Sequence, residues 1–330
     1  KPEAIQAIEA AEAQKRQEIQ DKEGLTDEER NKALASLAVA VQEARNAINA
    51  ADTNTLVGTA KDNGLGAIRA IEAEAKAKPT ALAAVADAAN VKKAAIQSNA
   101  ELTDDEKAEA VRKVNEELDK AEKAIKAASS DEAVTREQST GTTAIRGVSE
   151  TPEARPAANK VVEEAAKAKR QEITSNGKLT EEEQQAAIAK VNAAEASAKE
   201  AIKQAASTAD VERQGELGKA AIEAIKALDD QAPSTKETAK ASITQAEQDK
   251  KNAIEADNNL TREEKNAAKD AVTAKAEAAR EAIDAAKNLS DVQAQERQGK
   301  AAIAGVPATA TAKPEAIQAI EAAEAQKRQE

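Results

Sequence analysis

Asp, Glu, Lys, Ser and Thr are the side chains left to do chemistry in this chain, because its 330 residues include no His, Cys, Met, Trp, Tyr or Phe. Thiol nucleophiles, imidazole bases, thiolate or imidazole metal ligands and aromatic stacking platforms are thereby excluded. Carboxylates alone can support glycoside hydrolysis or an oxygen-ligated metal. Both require carboxylates converging in a cleft, usually with aromatic walls for a sugar. No pattern here builds a cleft, so Asp and Glu read as solvated helix faces. A basic pair recurs at Lys15-Arg16, Lys92-Lys93, Lys169-Arg170, Lys250-Lys251 and Lys327-Arg328. One reading is a ladder of anion sites for a heparin-like polymer or cell-wall teichoic acid. The favoured one places cations near the end of one helix, facing acids in the first turn of the next. No catalytic, cofactor-binding or metal-ligating residue is assigned, no cofactor is expected, and the chain does not read as an enzyme.

Charge narrows the partners. With 48 Lys+Arg against 60 Asp+Glu the net charge is −12, spread without long blocks of one sign. Nucleic acid and anionic membrane surfaces are repelled overall, so neither is an expected partner. No apolar run is long enough to span a membrane, no targeting signal is visible, and membrane insertion is not expected.

The positions of the polar groups follow from a repeat. Leu-Thr pairs return at Leu25-Thr26, Leu102-Thr103, Leu179-Thr180 and Leu260-Thr261, in steps of 77, 77 and 81 residues. Ile48, Ile125, Ile202 and Ile283 keep that register, as do Val57, Val134, Val211 and Val292, and Gly64, Gly141, Gly218 and Gly299. A fixed period of this size means one supersecondary unit copied in tandem, so function is sought in the array. Residues 313–330 repeat residues 1–18 letter for letter. The expectation is a piece of a longer protein with recently duplicated units.

Each unit reads as three helices, since Ala, Glu, Lys, Gln and Ile dominate while Gly and Pro cluster at recurrent positions. The middle helix carries an apolar stripe, Leu34, Leu37, Val41, Ala44 and Ile48 in the first unit and Val111, Val114, Leu118, Ala121 and Ile125 in the second, with Glu195 interrupting it in the third. Its start is a Thr-x-x-Glu capping box in every unit: Thr26 to Glu29, Thr103 to Glu106, Thr180 to Glu183, Thr261 to Glu264. The loop before it (Gly24; Asn99; Asn176-Gly177; Asn258-Asn259) suits a reversal, so the first two helices form an antiparallel hairpin. The third helix is expected to start near Thr53, Ser130, Ser207 and Ser290, with Val134, Gly141, Ile145 and Val148 on one face. Its recurrent Gly serves either close helix approach or a local break that yields under load. Lys1-Pro2, Lys78-Pro79, Arg155-Pro156 and Lys313-Pro314 mark boundaries, because Pro fits a first helical turn. The third boundary, Asp229–Glu237, has four extra residues, Pro233-Ser234, and Glu237 where Pro would stand. The expected units are 1–77, 78–154, 155–235 and 236–312, with 313–330 a partial first helix of a fifth. The fold class is all-α, a tandem array of antiparallel three-helix bundles forming an extended rod, each unit adding roughly 30–40 Å.

This ordered set of motifs resembles the DUF1542 repeat of very long Gram-positive surface proteins of the extracellular-matrix-binding type. The resemblance covers all four units and the partial fifth. It implies a three-helix bundle, export to the bacterial cell wall, and a structural stalk or spacer role in an adhesin, and it brings no catalytic residues. Neighbouring repeats of the same chain are then the partners of each unit, the chain is monomeric, and a host matrix protein would be bound through other regions of the parent. The alternative is a repeated host-protein-binding module; such a face should keep exposed, often aromatic, anchors in each copy, and none is present.

Overall fold

In the computed structural model, which describes residues 1–229 and 232–329, helices and their connections account for the whole described chain. The helices are α1 (Pro2–Asp21), α2 (Asp27–Ala50), α3 (Asn54–Arg69), α4 (Ala77–Ser98), α5 (Asp104–Ala127), α6 (Asp131–Arg146), α7 (Ala154–Thr174), α8 (Glu181–Gln204), α9 (Thr208–Glu223), α10 (Thr235–Ala256), α11 (Arg262–Ala285), α12 (Leu289–Ala304) and α13 (Ala312–Gln329). They fall into two compact units. One holds Lys1–Arg155 with Ala206–Thr208; the other holds Pro156–Ala205 with Ala209–Glu330.

Within each repeat the first two helices run antiparallel, which the polar contacts at both ends of the hairpin show. At one end Arg30 of α2 donates to the carbonyls of Ile19 and Gln20 at 2.5 Å. At the other Lys1 donates to the Asn49 carbonyl at 2.7 Å. Gln184 and Lys265 take the place of Arg30 in the third and fourth repeats, reaching the carbonyls of Thr174 and Glu255. A side chain from the second helix thus satisfies carbonyls that a helix C-terminus leaves without partners.

The hairpin loop is solved in two ways. Gly24 has φ +82°, the left-handed conformation that a side chain disfavours. In the other repeats an Asx turn does the work: Asn99, Asn176 and Asp257 accept from the amides of Glu101, Lys178 and Asn259 at 2.9–3.0 Å.

The core is aliphatic. Leu37, Ile48, Val114, Ile125, Ile145, Ile202, Ile222, Ile283 and Ile303 have 0–1% of their surface exposed. The middle-helix stripe is rotated slightly from the expected one: Ala33 and Ala110 are buried, whereas Leu34, Val111 and Leu118 are only partly so. Glu195, at the register position of Leu118, keeps its carboxylate at the bundle's edge, 2.7 Å from Arg170 and 3.0 Å from Lys199. The hydrogen bond from Arg170 and the further cation hold it below the ordinary carboxylate range.

The recurrent glycines serve close approach, and the third helices run through them unbroken. A Cβ on Gly64 would lie 2.5 Å from Ala44 Cβ, and one on Gly299 2.5 Å from Ala279 Cβ; Gly141 and Gly218 meet Ala121 and Ala198 in the same way. The yielding-break reading finds no break.

Two further expectations are corrected. Asn288, not Ser290, caps α12, its side chain accepting from the Asp291 amide at 2.9 Å, and Ser290 lies inside the helix. Asn288 occupies the register of Thr53 and Ser130, which do cap α3 and α6. Val148 lies past the end of α6 at Arg146, partly buried against the core. The third helix is 16 residues against 24 for the second, and a segment without helix or strand continues from it.

Candidate functional site at the repeat junctions

All four predicted capping boxes form. The Thr26, Thr103, Thr180 and Thr261 hydroxyls accept from the amides of Glu29, Glu106, Glu183 and Glu264 at 3.2–3.4 Å. Each Glu returns one oxygen to the Thr amide at 2.8–3.0 Å. The other oxygen reaches the N-terminus of the next helix but one, α4, α7, α10 or α13, which leads into the following repeat. Glu29 accepts from the amides of Lys76 (2.8 Å) and Ala77 (2.9 Å), and Glu106 from Glu153 (2.8 Å) and Ala154 (2.9 Å). Glu183 accepts from the Thr235 amide (2.8 Å) and hydroxyl (2.7 Å), and Glu264 from Thr311 and Ala312. One carboxylate therefore caps two helices. Lys76, the residue preceding α4, has no side-chain cap of its own. A negative charge at two helix N-termini is favoured by both dipoles and by the unpaired amides there.

Titration follows the geometry. Burial pushes the Glu29, Glu106 and Glu183 carboxyls up, but the amides of their own Thr and of the next helix outweigh it, leaving all three below the ordinary range. The amides of Ala312, Thr261 and Thr311 hold Glu264 well below it.

The first two residues of α2, α5 and α8 make a second contact. The Asp27 amide donates to the Ser129 carbonyl at 2.8 Å, and the Glu28 carboxylate accepts from the Asp131 amide at 3.1 Å, capping α6. Around Ala206–Thr208, which packs in the first unit, Asp104 donates to Ala206, Asp105 accepts from Thr208, and the Thr103 and Thr208 hydroxyls lie 2.8 Å apart. In the second unit Glu181 donates to Lys287 and Glu182 accepts from Leu289. The Glu182 carboxyl lies low because its own amide and that of Leu289 favour the charged form.

A cation completes the junction. Lys1, Lys78, Arg155, Lys236 and Lys313 share one register position. Lys78 donates to the Lys126 carbonyl (2.8 Å), Arg155 to Ala100 (3.0 Å) and Lys313 to Asn258 (2.6 Å). Lys236, only 4% exposed, joins both kinds of partner, the Gly177 carbonyl of the preceding hairpin loop and the Asp284 carbonyl of its own second helix, each at 2.8 Å. Carbonyls at helix C-termini favour such a cation.

At the irregular boundary, residues 230 and 231 of the predicted 229–237 segment lie outside the described residues. Glu237 sits in the first turn of α10 at the register of Pro79 and Pro156. Unlike Pro it has an amide to satisfy, and Ser234 accepts from it at 3.1 Å.

The first-turn acids Glu28, Glu29, Asp105, Glu106, Glu182, Glu183 and Glu264 are engaged at the junctions rather than with the basic pairs. In α1, α4, α7 and α10 the pair lies short of the last turn, too far from the helix end to meet its dipole, whereas Lys327-Arg328 falls in the last turn of α13. Lys15 and Lys169 instead pair with Glu18 and Glu172 three residues on, Arg16 with Glu12, and Lys92 and Lys250 with Glu150 and the Ala304 carbonyl beyond or at the end of the third helix.

Among the described residues no group of carboxylates is arranged to hold a metal ion, and no helix is long and apolar enough to cross a membrane. The junction carboxylates are spent on backbone amides. The arrangement binds one repeat to the next.

A family model described as Domain of Unknown Function (DUF1542) matches residues 1–76, 77–153, 154–229 and 235–311. No curated protein and no solved structure matches the chain.

Proposed function

Because the chain belongs to the DUF1542 family through four tandem matches, we propose that it is a structural stalk or spacer of a cell-wall-attached adhesin on a Gram-positive bacterium, projecting a distal binding domain. Its working units are 1–77, 78–154, 155–235 and 236–312, with 313–330 beginning a fifth. The observation that carries the reading is the double use of Glu29, Glu106, Glu183 and Glu264, each capping its own helix and the N-terminus of the helix that leads into the next repeat. What recurs with the period is caps, core and junction, which is what a coupled array needs. A repeated binding face should instead repeat its exposed anchors. The exposed large apolar residues of the four repeats, Val39, Leu56, Val91, Leu217 and Leu289, share no register position. The chemistry of the chain is accordingly structural rather than enzymatic.

Small-angle scattering of the 330-residue chain tests this. The expected particle exceeds about 100 Å in length, from helices rising about 1.5 Å per residue in successive repeats. A radius of gyration near 20 Å, that of one globule of this size, would refute it.

A further inference from the structure

Asn-Gly occurs twice in the chain, at Asn63-Gly64 and Asn176-Gly177. The two sit in opposite environments. Asn63-Gly64 lies inside α3, where Gly64 is buried and packed against α2. There the helical ladder engages the glycine amide and fixes the backbone. Asn176-Gly177 lies in the hairpin loop between α7 and α8, where Gly177 is exposed with nothing within 4 Å of an added Cβ. The Asn176 side-chain oxygen accepts from the Lys178 amide at 3.0 Å. That Asx turn folds the side-chain carbonyl over the 176–177 peptide and polarises its carbon.

We propose that Asn176-Gly177 is a site of spontaneous covalent self-modification that ages the junction between the third and fourth repeats. The Gly177 nitrogen attacks Asn176 Cγ; the Cγ–Nδ2 bond breaks and the amide leaves as ammonia, its added proton coming from the Gly177 amide. The five-membered succinimide is then opened by water at either carbonyl, giving aspartate or isoaspartate, with no oxidation or reduction. Attack requires close approach by the following residue's nitrogen, which a missing Cβ permits. The related loops carry the same Asx turn with a side chain at that place, Asn99-Ala100 and Asp257-Asn258. Repeat three alone joins the turn to a glycine.

The consequence is structural. Isoaspartate puts a side-chain methylene into the main chain directly before Gly177. The Gly177 carbonyl holds the buried Lys236 ammonium, and the Asn176 carbonyl accepts from the Leu179 amide and Gln184 Nε2, each at 3.2 Å. A longer chain cannot keep both carbonyls in place, so Lys236 loses one of its two acceptors while remaining buried.

The test is to incubate the full chain warm at mildly alkaline pH, then map its peptides by mass spectrometry with isoaspartate detection and measure melting. The expected result is the mass gain of amide-to-acid conversion, with isoaspartate, at residue 176 and not at residue 63, accompanied by a lower melting temperature. Gly177→Ala, which reproduces the Asn99-Ala100 loop and has room for its Cβ, should abolish both changes. The proposal is overturned if Asn176 stays intact natively while converting in denaturant, or if Asn63 converts as fast. Equal conversion in Gly177→Ala, or an unchanged melting temperature once isoaspartate 176 has formed, would overturn it equally.

Discussion

Replacing Glu29 by Gln removes one acceptor oxygen from a carboxylate that holds two helix starts at once. Its two oxygens take the Thr26 amide at 3.0 Å and the Lys76 and Ala77 amides at 2.8 and 2.9 Å. A carboxamide offers one oxygen and one NH2 group, so whichever way it turns, one face points donors at donors. Hydrogen bonds to charged groups contribute roughly 1.5–3 kcal/mol, and water reaches this half-exposed site, so the expected loss is about 2 kcal/mol. Thr26→Ala, which removes the cap of α2 but leaves the carboxylate, should cost about 1 kcal/mol. The assay is amide hydrogen exchange at Lys76 and Ala77. A 2 kcal/mol loss of protection, at 1.4 kcal/mol per factor of ten, means roughly thirtyfold faster exchange there. Glu43→Gln, at an exposed position of the same helix, is the control. If Glu29→Gln exchanged at Lys76 and Ala77 no faster than Glu43→Gln, the carboxylate would not couple the repeats.

Gly64→Ala gains about 1 kcal/mol of helix propensity but sets a Cβ 2.5 Å from Ala44 Cβ and 3.0 Å from Ile8 Cδ1, so net destabilisation of about 1–2 kcal/mol is expected by thermal melting; a raised melting temperature would contradict the packing role. Asn288→Ala should cost about 1 kcal/mol and Ser290→Ala well under half that, since Asn288 is the cap; equal losses in chemical denaturation would restore Ser290. The junction glutamates are depressed in the folded state, so their stabilisation is complete above the unfolded value of about 4.3 and is lost as pH falls through their lower folded values. Melting followed by circular dichroism should therefore hold steady down to about pH 5 and fall below about pH 4. The fall should be shallower when Glu29, Glu106, Glu183 and Glu264 are all Gln. Identical slopes would show that acid acts elsewhere.

Local chemistry was decided by the sequence alone. Period, helices, hairpins and capping boxes follow from Thr-x-x-Glu placement, Gly and Asn in loops and Pro in first turns, because each depends on a few neighbouring residues. At α12 sequence logic slipped in register: Ser290 is a good capping residue, but Asn288 keeps the 81-residue step from Ser207. Partnering across repeats was decided by the tertiary structure. Glu29 reads in sequence as one half of a local box, and nothing in its neighbours shows that its second oxygen meets amides 47 and 48 residues away. The fivefold recurrence of a cation at Lys1, Lys78, Arg155, Lys236 and Lys313 was visible, yet its acceptors are backbone carbonyls, which carry no sequence signal. Gly64 could have served approach or flexibility until Ala44 was seen beneath it. A helix end needs partners for its amides wherever they come from, and only the folded chain shows which residues are near enough to supply them.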